Sequence, residues 1–206
     1  MAASLTSTDL TLDNTSGASI PGTPSAGQTV IYPKDDKLLY YKDDAGVERS
    51  ANINSGTVVA TTSGTSIDFT GIPAGVKRVT VMLLGVSTNG SSLVQLQVGS
   101  DSVTTSGYNS SGSTNGATTA NIGSGLLVQG RASNTNQIRG ALTLSLIASN
   151  TWVYSGTTQP NPSSNDVYML AGSTPALAGA LDRVRLTTAN GTDAFDLGSV
   201  NISWEF

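Results

Sequence analysis

The chain has 206 residues, a formal net charge of −4, no His, no Cys and only 12% charged residues. The missing residue types exclude imidazole-dependent triads, thiol nucleophiles, disulfides and His or Cys metal sites. The acidic balance and the ten scattered Lys and Arg argue against a nucleic-acid surface, which shows a basic patch or stripe.

At the start of the chain, residues 1–6 carry neither a basic n-region nor an apolar h-region, so no ordinary signal peptide is expected. No apolar run approaches the roughly eighteen residues of a membrane span, so no membrane insertion is expected. Residues 1–27 are rich in Ser and Thr, with turn signals at Asn14-Thr15-Ser16-Gly17 and Pro21-Gly22-Thr23-Pro24. They read as an extended N-terminal arm that orders against a partner. Residues 28–56 hold the charged segment of the chain. Strands are expected at 29–32 and 37–41, with turns at 33–36 and 43–46 and a third strand from Val47 to Arg49. Such a β-meander is too small to bury a core alone. Asp35-Asp36 and Asp43-Asp44 are a conceivable cation site, but Asp suits turn geometry without any metal. No metal ligands are assigned.

Residues 57–206 read as all-β. Candidate strands lie at 57–61, 66–69, 78–86, 93–98, 125–129, 141–148, 151–155, 183–187 and 199–205. Alternation is clearest where Val94, Leu96 and Val98 interleave with Gln95 and Gln97, and where Val200, Ile202, Trp204 and Phe206 interleave with Asn201, Ser203 and Glu205. Pro175 to Leu181 has room for one helical turn, interrupted at Gly179. Two long loops are expected, at 104–123 and 157–166. Many short strands between Gly, Asn and Ser clusters predict an antiparallel β-sandwich, jelly-roll-like, as the distal domain.

The run from Ser63 to Ser87 reads as a strand, a Pro73–Gly75 turn and a second, buried strand bounded by Gly85. It resembles a segment of tailed-bacteriophage fibre and tail proteins, in which a Phe-x-Gly-Ile-Pro-x-Gly-Val turn leads into a hydrophobic strand ending near Gly-Val-Ser. Here Phe69, Gly71-Ile72-Pro73, Gly75-Val76 and Gly85-Val86-Ser87 carry the match. Leu39-Tyr40-Tyr41-Lys42 after an acidic turn resembles the small sheet that precedes the distal domain in phage fibres. Gly107-Tyr108 and Trp152-Val153 recur in the same order, so the resemblance covers roughly residues 30–206.

The resemblance implies a non-enzymatic virion fibre protein, made in the host cytoplasm and displayed on the particle's external surface as a homotrimer. The first role it implies is a tail fibre or receptor-binding protein, with residues 1–27 attached to other virion proteins and distal loops contacting a host-surface polysaccharide. The alternative is a capsid fibre or decoration protein with a structural role, favoured by the absence of visible shaft repeats. Aromatic rings stack on sugar faces, and amides and hydroxyls bind sugar hydroxyls. Tyr108, Asn109, Asn115, Tyr154, Gln159 and Asn161 are therefore the candidate glycan-loop residues, while Trp152 and Trp204 read as core. Asp68, Asp193, Asp196 and Glu205 are carboxylates of the type a glycosidase uses. No spacing holds any two at the roughly 5–10 Å that such chemistry needs, so no catalytic residues and no cofactor are assigned.

Overall fold

The structure, a computed structural model, describes residues 21–34, 39–50, 53–114, 117–161 and 165–206. Expectations for residues 1–20, Asp35, Asp36 and Asn115 fall outside the described residues. The chain divides into two units, one running to Ile53 together with Phe206, the other Asn54–Glu205.

In the first unit, β1 (Val30–Pro33), β2 (Leu39–Lys42) and β3 (Glu48–Ser50) form an antiparallel sheet in chain order. Tyr32 and Tyr40 face each other across β1 and β2, their ring centroids 6.4 Å apart, and the Lys34 ammonium sits 4.3 Å above the Tyr40 ring. Glu48 accepts hydrogen bonds from both the Tyr32 hydroxyl and Lys34. The β2–β3 turn is organised by Asp43, which accepts from the Ala45 and Val47 amides at 3.1 and 2.8 Å and from Arg49 at 2.7 Å.

Those bonds, Arg49 first and then the Val47 amide, hold the Asp43 carboxyl below its ordinary range. A lowered folded-state pKa adds stability above the unfolded value, and that stability is lost as pH falls through the folded one. Near-UV circular dichroism from Tyr32, Tyr40 and Tyr41 is therefore expected to weaken below about pH 4. Asp43→Asn should reduce that acid sensitivity, and an unchanged titration in the variant would count against the assignment.

The second unit contains β4 (Asn54–Ser55), β5 (Val59–Ala60), β6 (Ser66–Thr70), β7 (Arg78–Thr88), β8 (Val94–Ser100), β9 (Ser102–Val103) and β10 (Asn109–Thr114). It continues with β11 (Ala117–Ile122), β12 (Leu126–Leu127), β13 (Ile138–Ala148), β14 (Thr151–Gln159), β15 (Tyr168–Ser173), β16 (Arg183–Thr188) and β17 (Phe195–Glu205). Nine strands make one sheet in the order β11-β10-β15-β14-β13-β7-β17-β4, with β5 also on β17. Five make the other, β12-β8-β16-β6, with β9 on β8. The described pairings are antiparallel, and the unit is an all-β sandwich, as the alternation predicted.

Period-2 patterning builds the core. Val79, Val81 and Leu83 of β7, Leu142 and Leu144 of β13, and Val200 and Ile202 of β17 are buried on one sheet. Leu96, Val98, Val184 and Leu186 are buried on the other. Gly85 does not end its strand. The register skips there against both β13 and β17, and β7 continues to Thr88 through a β-bulge. Gly85 has φ +69° and its neighbour across the ladder, Gly198, φ +97°.

The expected loop at 104–123 contains a hairpin, β10 and β11, added to the edge of the larger sheet. Its first strand, Asn-Ser-Ser-Gly-Ser-Thr, shows no apolar alternation because the inward positions must be small. A Cβ at Gly112 would lie 2.9 Å from the Leu170 side chain. The segment 175–181 forms no helical turn; Leu177 and Leu181 are buried, and the Leu177 amide donates to Asn150 O at 3.1 Å.

The strand expected at 125–129 shrinks to β12, within a stretch, 125–130, that is buried throughout. Backbone groups buried without a ladder need other partners. Leu127 N donates to Ser110 Oγ at 2.8 Å, Val128 N to Val94 O at 3.0 Å, and Thr158 Oγ1 donates to Val128 O at 2.8 Å. The Tyr154 hydroxyl donates to Leu127 O.

Candidate ligand-binding cleft

Tyr154 is one of the two aromatic residues expected at a glycan surface, and the other is Tyr108. Both are inside the sandwich, 2% and 5% exposed. Burial raises the Tyr154 phenol and pushes Tyr108 up to about 12, against a small opposing effect of its bond with Val98. Neither ring has a face free for a sugar. The physical reason is the buried 125–130 stretch and the neighbouring backbone, whose polar groups these hydroxyls satisfy.

The remaining candidates do not converge. Asn109 is exposed where β10 pairs with Ser173, at the opposite end of β15 from Tyr168, which adjoins the Gln159 end of β14. Asn161 borders a cleft of about 300 Å³ with Arg131, Asp166 and Tyr168. The carboxylates are likewise dispersed into separate structural roles. Asp68 is paired with Arg185, and Asp193 accepts from Ser92 N at 2.8 Å and from Asn190 Nδ2 at 2.7 Å. Glu205 meets Arg78 at 3.4 Å. Among the described residues no group of three His, Cys, Asp or Glu could hold a metal ion.

A different arrangement forms on the outer face of the five-stranded sheet. In the order β8-β16-β6, register places Gln97, Arg185 and Asp68 in one cross-strand row and Gln95, Thr187 and Ser66 in the next. Alternation alone predicts that both Gln side chains are exposed. They are 2% (Gln95) and 7% (Gln97) exposed, because the chain after β11 folds over them. Ser124 Oγ donates to Gln95 Oε1 at 2.8 Å, and Gln97 Nε2 donates to Ser124 O at 2.9 Å. The result is a cleft of about 330 Å³, with Ser124 and Thr105 on one side and Thr65, Ser66 and the 189–191 turn also in its lining.

Tyr108 acts behind that wall. Its hydroxyl donates toward Thr104 O (2.9 Å) and Val98 O (3.1 Å) and accepts from Val98 N (2.8 Å), while its own amide donates to Gly123 O at 3.1 Å. One residue thus ties down the neighbours of both Thr105 and Ser124. Tyr108→Phe leaves the buried Val98 amide without its acceptor and is expected to cost about 1–3 kcal/mol in urea unfolding. An unshifted midpoint would mean that the hydroxyl holds nothing.

Arg185 is fixed by two parallel bonds to Asp68, 2.7 Å from Nε and 3.0 Å from Nη2, so the cation in the lining is neutralised from the adjacent strand. Sequence reasoning missed this cleft. The available signal was two long amides on one strand face in a chain that otherwise favours Ser and Thr. No protein-family model, curated protein or solved structure matches the chain.

Proposed function

We propose that the chain is a non-enzymatic bacteriophage virion protein, a tail fibre or receptor-binding protein whose sandwich contacts a host-surface glycan. The observation that carries this reading is the charge-balanced polar cleft on the five-stranded sheet, which offers hydrogen-bonding groups to a ligand without presenting a net charge. The resemblance of residues 63–87 to phage fibre segments supports the same assignment. Residues 1–27 attach the protein to the particle, and three copies multiply a weak site into useful avidity.

One observation favours a second reading, a capsid fibre or decoration protein. The outer face of the nine-stranded sheet is uncharged across its centre. Met169, Thr157, Ala141, Met82 and Asn201 form one cross-strand row, and Ala171, Ser155, Thr143, Thr80 and Ser203 form the next. Met82, Leu84, Val153 and Met169 are exposed on this face. Such a surface suits contact with neighbouring proteins.

Immunogold electron microscopy of the particles that encode the chain, with antibody against residues 57–206, separates these readings. Label at the tail is the expected result, and label spread over the capsid selects the second reading. Absence of label from every particle overturns both. Light scattering on the purified chain is expected to give the mass of three copies, and a one-chain mass at micromolar concentration would remove the trimer.

A further inference from the structure

Five polar side-chain groups at the cleft on the five-stranded sheet have no hydrogen-bond partner among the described residues: Gln97 Oε1, the Arg185 Nη1 group, and the hydroxyls of Thr65, Ser66 and Thr105. Gln97 is the most informative of them. The residue is more than nine-tenths buried and its Nε2 is held by Ser124 O, while its Oε1 is not among the buried unpartnered atoms and so keeps access to solvent at the cleft. An acceptor fixed in place and open to solvent is one that a ligand hydroxyl can occupy instead of water.

The lining also restricts the ligand's chemistry. Ala189 is its sole apolar side chain, so the cleft gives no purchase to a lipid tail or a hydrophobic peptide side chain. Arg185 is its sole charged member, and Asp68 already takes two of its donor nitrogens, which disfavours phosphate and carboxylate ligands. The lining mixes hydroxyls and amides with one guanidinium, groups that suit a ligand dense in hydroxyls, since each hydroxyl both donates and accepts. The row from Gln95 through Thr187 to Ser66, all in the lining, crosses two strand spacings, about 10 Å, enough for more than one sugar ring.

We propose that this cleft, floored by Gln97 and Arg185 and bordered by Ser66 and Thr105, binds a neutral saccharide. The assignment rests on the glycan-contact reading above and moves the contact from the distal loops to a sheet face. Gln97 Oε1 accepts from a sugar hydroxyl, and Arg185 Nη1 donates to one. The Ser66 and Thr105 hydroxyls serve either way. Tyr108, behind the wall, is a positioning residue.

The test is a heteronuclear NMR titration of the full chain that follows the side-chain amides of Gln95 and Gln97. The probes are maltose, cellobiose, lactose and sucrose, with digalacturonic acid as the charged comparison. The expected result is a saturable shift of both amides with at least one neutral disaccharide below about 20 mM, a range suited to a single weak site. Gln97→Ala should weaken that binding about tenfold, the equivalent of losing one good hydrogen bond. Because Gln97 also supports the fold, Thr105→Val at an exposed position is the second variant and should weaken binding several-fold with an unchanged melting temperature.

No saturable shift with any neutral probe overturns the proposal. So does a shift that survives both variants, or tighter binding of digalacturonic acid. Tail label in the microscopy together with a silent titration would remove this cleft and leave the virion reading standing. A saturable shift without particle label would do the reverse.

Discussion

Replacing Trp152 with Ala is expected to destabilise the sandwich by about 3–5 kcal/mol, the range for truncating a large buried aromatic. Trp152 is 2% exposed on β14, opposite Leu146 of β13. Its backbone is locked to the segment after β15. Trp152 N donates to Thr174 Oγ1 at 3.1 Å, and Thr174 N donates to Trp152 O at 2.9 Å. A partly open pocket of about 110 Å³ already lies beside Trp152, lined in part by Val76, Leu146 and Leu181. Truncation would enlarge it, and a rigid ladder on both sides leaves little scope for collapse.

The informative partner is Trp152→Phe. The indole Nε1 is buried and without an acceptor among the described residues. Phe gives up volume but removes an unsatisfied donor whose burial costs about 1–3 kcal/mol, so the two effects oppose each other. Urea denaturation should therefore show a large drop in midpoint for Ala and a small change for Phe. Equal losses in the two variants would mean that the indole nitrogen has a partner after all.

Gly198→Val is expected to have the second large effect, on the order of 3–5 kcal/mol, combining a disfavoured positive φ with steric overlap. Gly198 sits at φ +97°, where an added Cβ would lie 2.4 Å from the carbonyl oxygen of Gly85. No flexible side chain is available to yield, because the obstacle is backbone. The bulge lets β17 run from Phe195 to Glu205 beside β7 while Val86 and Val200 both remain buried. Removing it shifts one strand by a residue and turns inward-facing side chains outward. Gly191→Ala is the comparison, since its φ of +69° is also positive but nothing lies within 4 Å of an added Cβ. Thermal unfolding should find it much milder than Gly198→Val, and equal losses would assign the whole effect to backbone torsion.

Much of the fold was legible because its signal is local. Side chains on a strand alternate by backbone geometry alone, so Val94, Leu96 and Val98 of β8, Leu142 and Leu144 of β13, and Val200 and Ile202 of β17 could be read directly as buried, whereas Trp204, expected in the core, is half-buried. Punctuation was less reliable. Gly85 carries the signature of a strand end, and whether glycine terminates a strand or bulges it depends on the register of two distant strands. The β10–β11 hairpin has the sequence of a loop because Ser110 and Gly112 are small to fit against Leu127 and Leu170, residues supplied from elsewhere in the chain. Small polar residues in a strand interior look like loop residues until the element packed on them is known.

The same division governs the functional surface. From its sequence the chain is determined to lack His and Cys chemistry, to be poor in charge and to alternate by strand periodicity. Tyr108 and Tyr154 had the chemistry of sugar-stacking residues, but their positions were set by long-range contacts that put both hydroxyls on buried backbone. Gln95 and Gln97 had the pattern of an exposed strand face, and residue Ser124 covered them from nearly thirty positions away. Periodicity fixes which side of a strand a residue occupies, because it depends only on adjacent torsions. Whether that side meets water, a loop or a ligand is decided by tertiary packing, because the covering segment is held there by contacts that no local window contains.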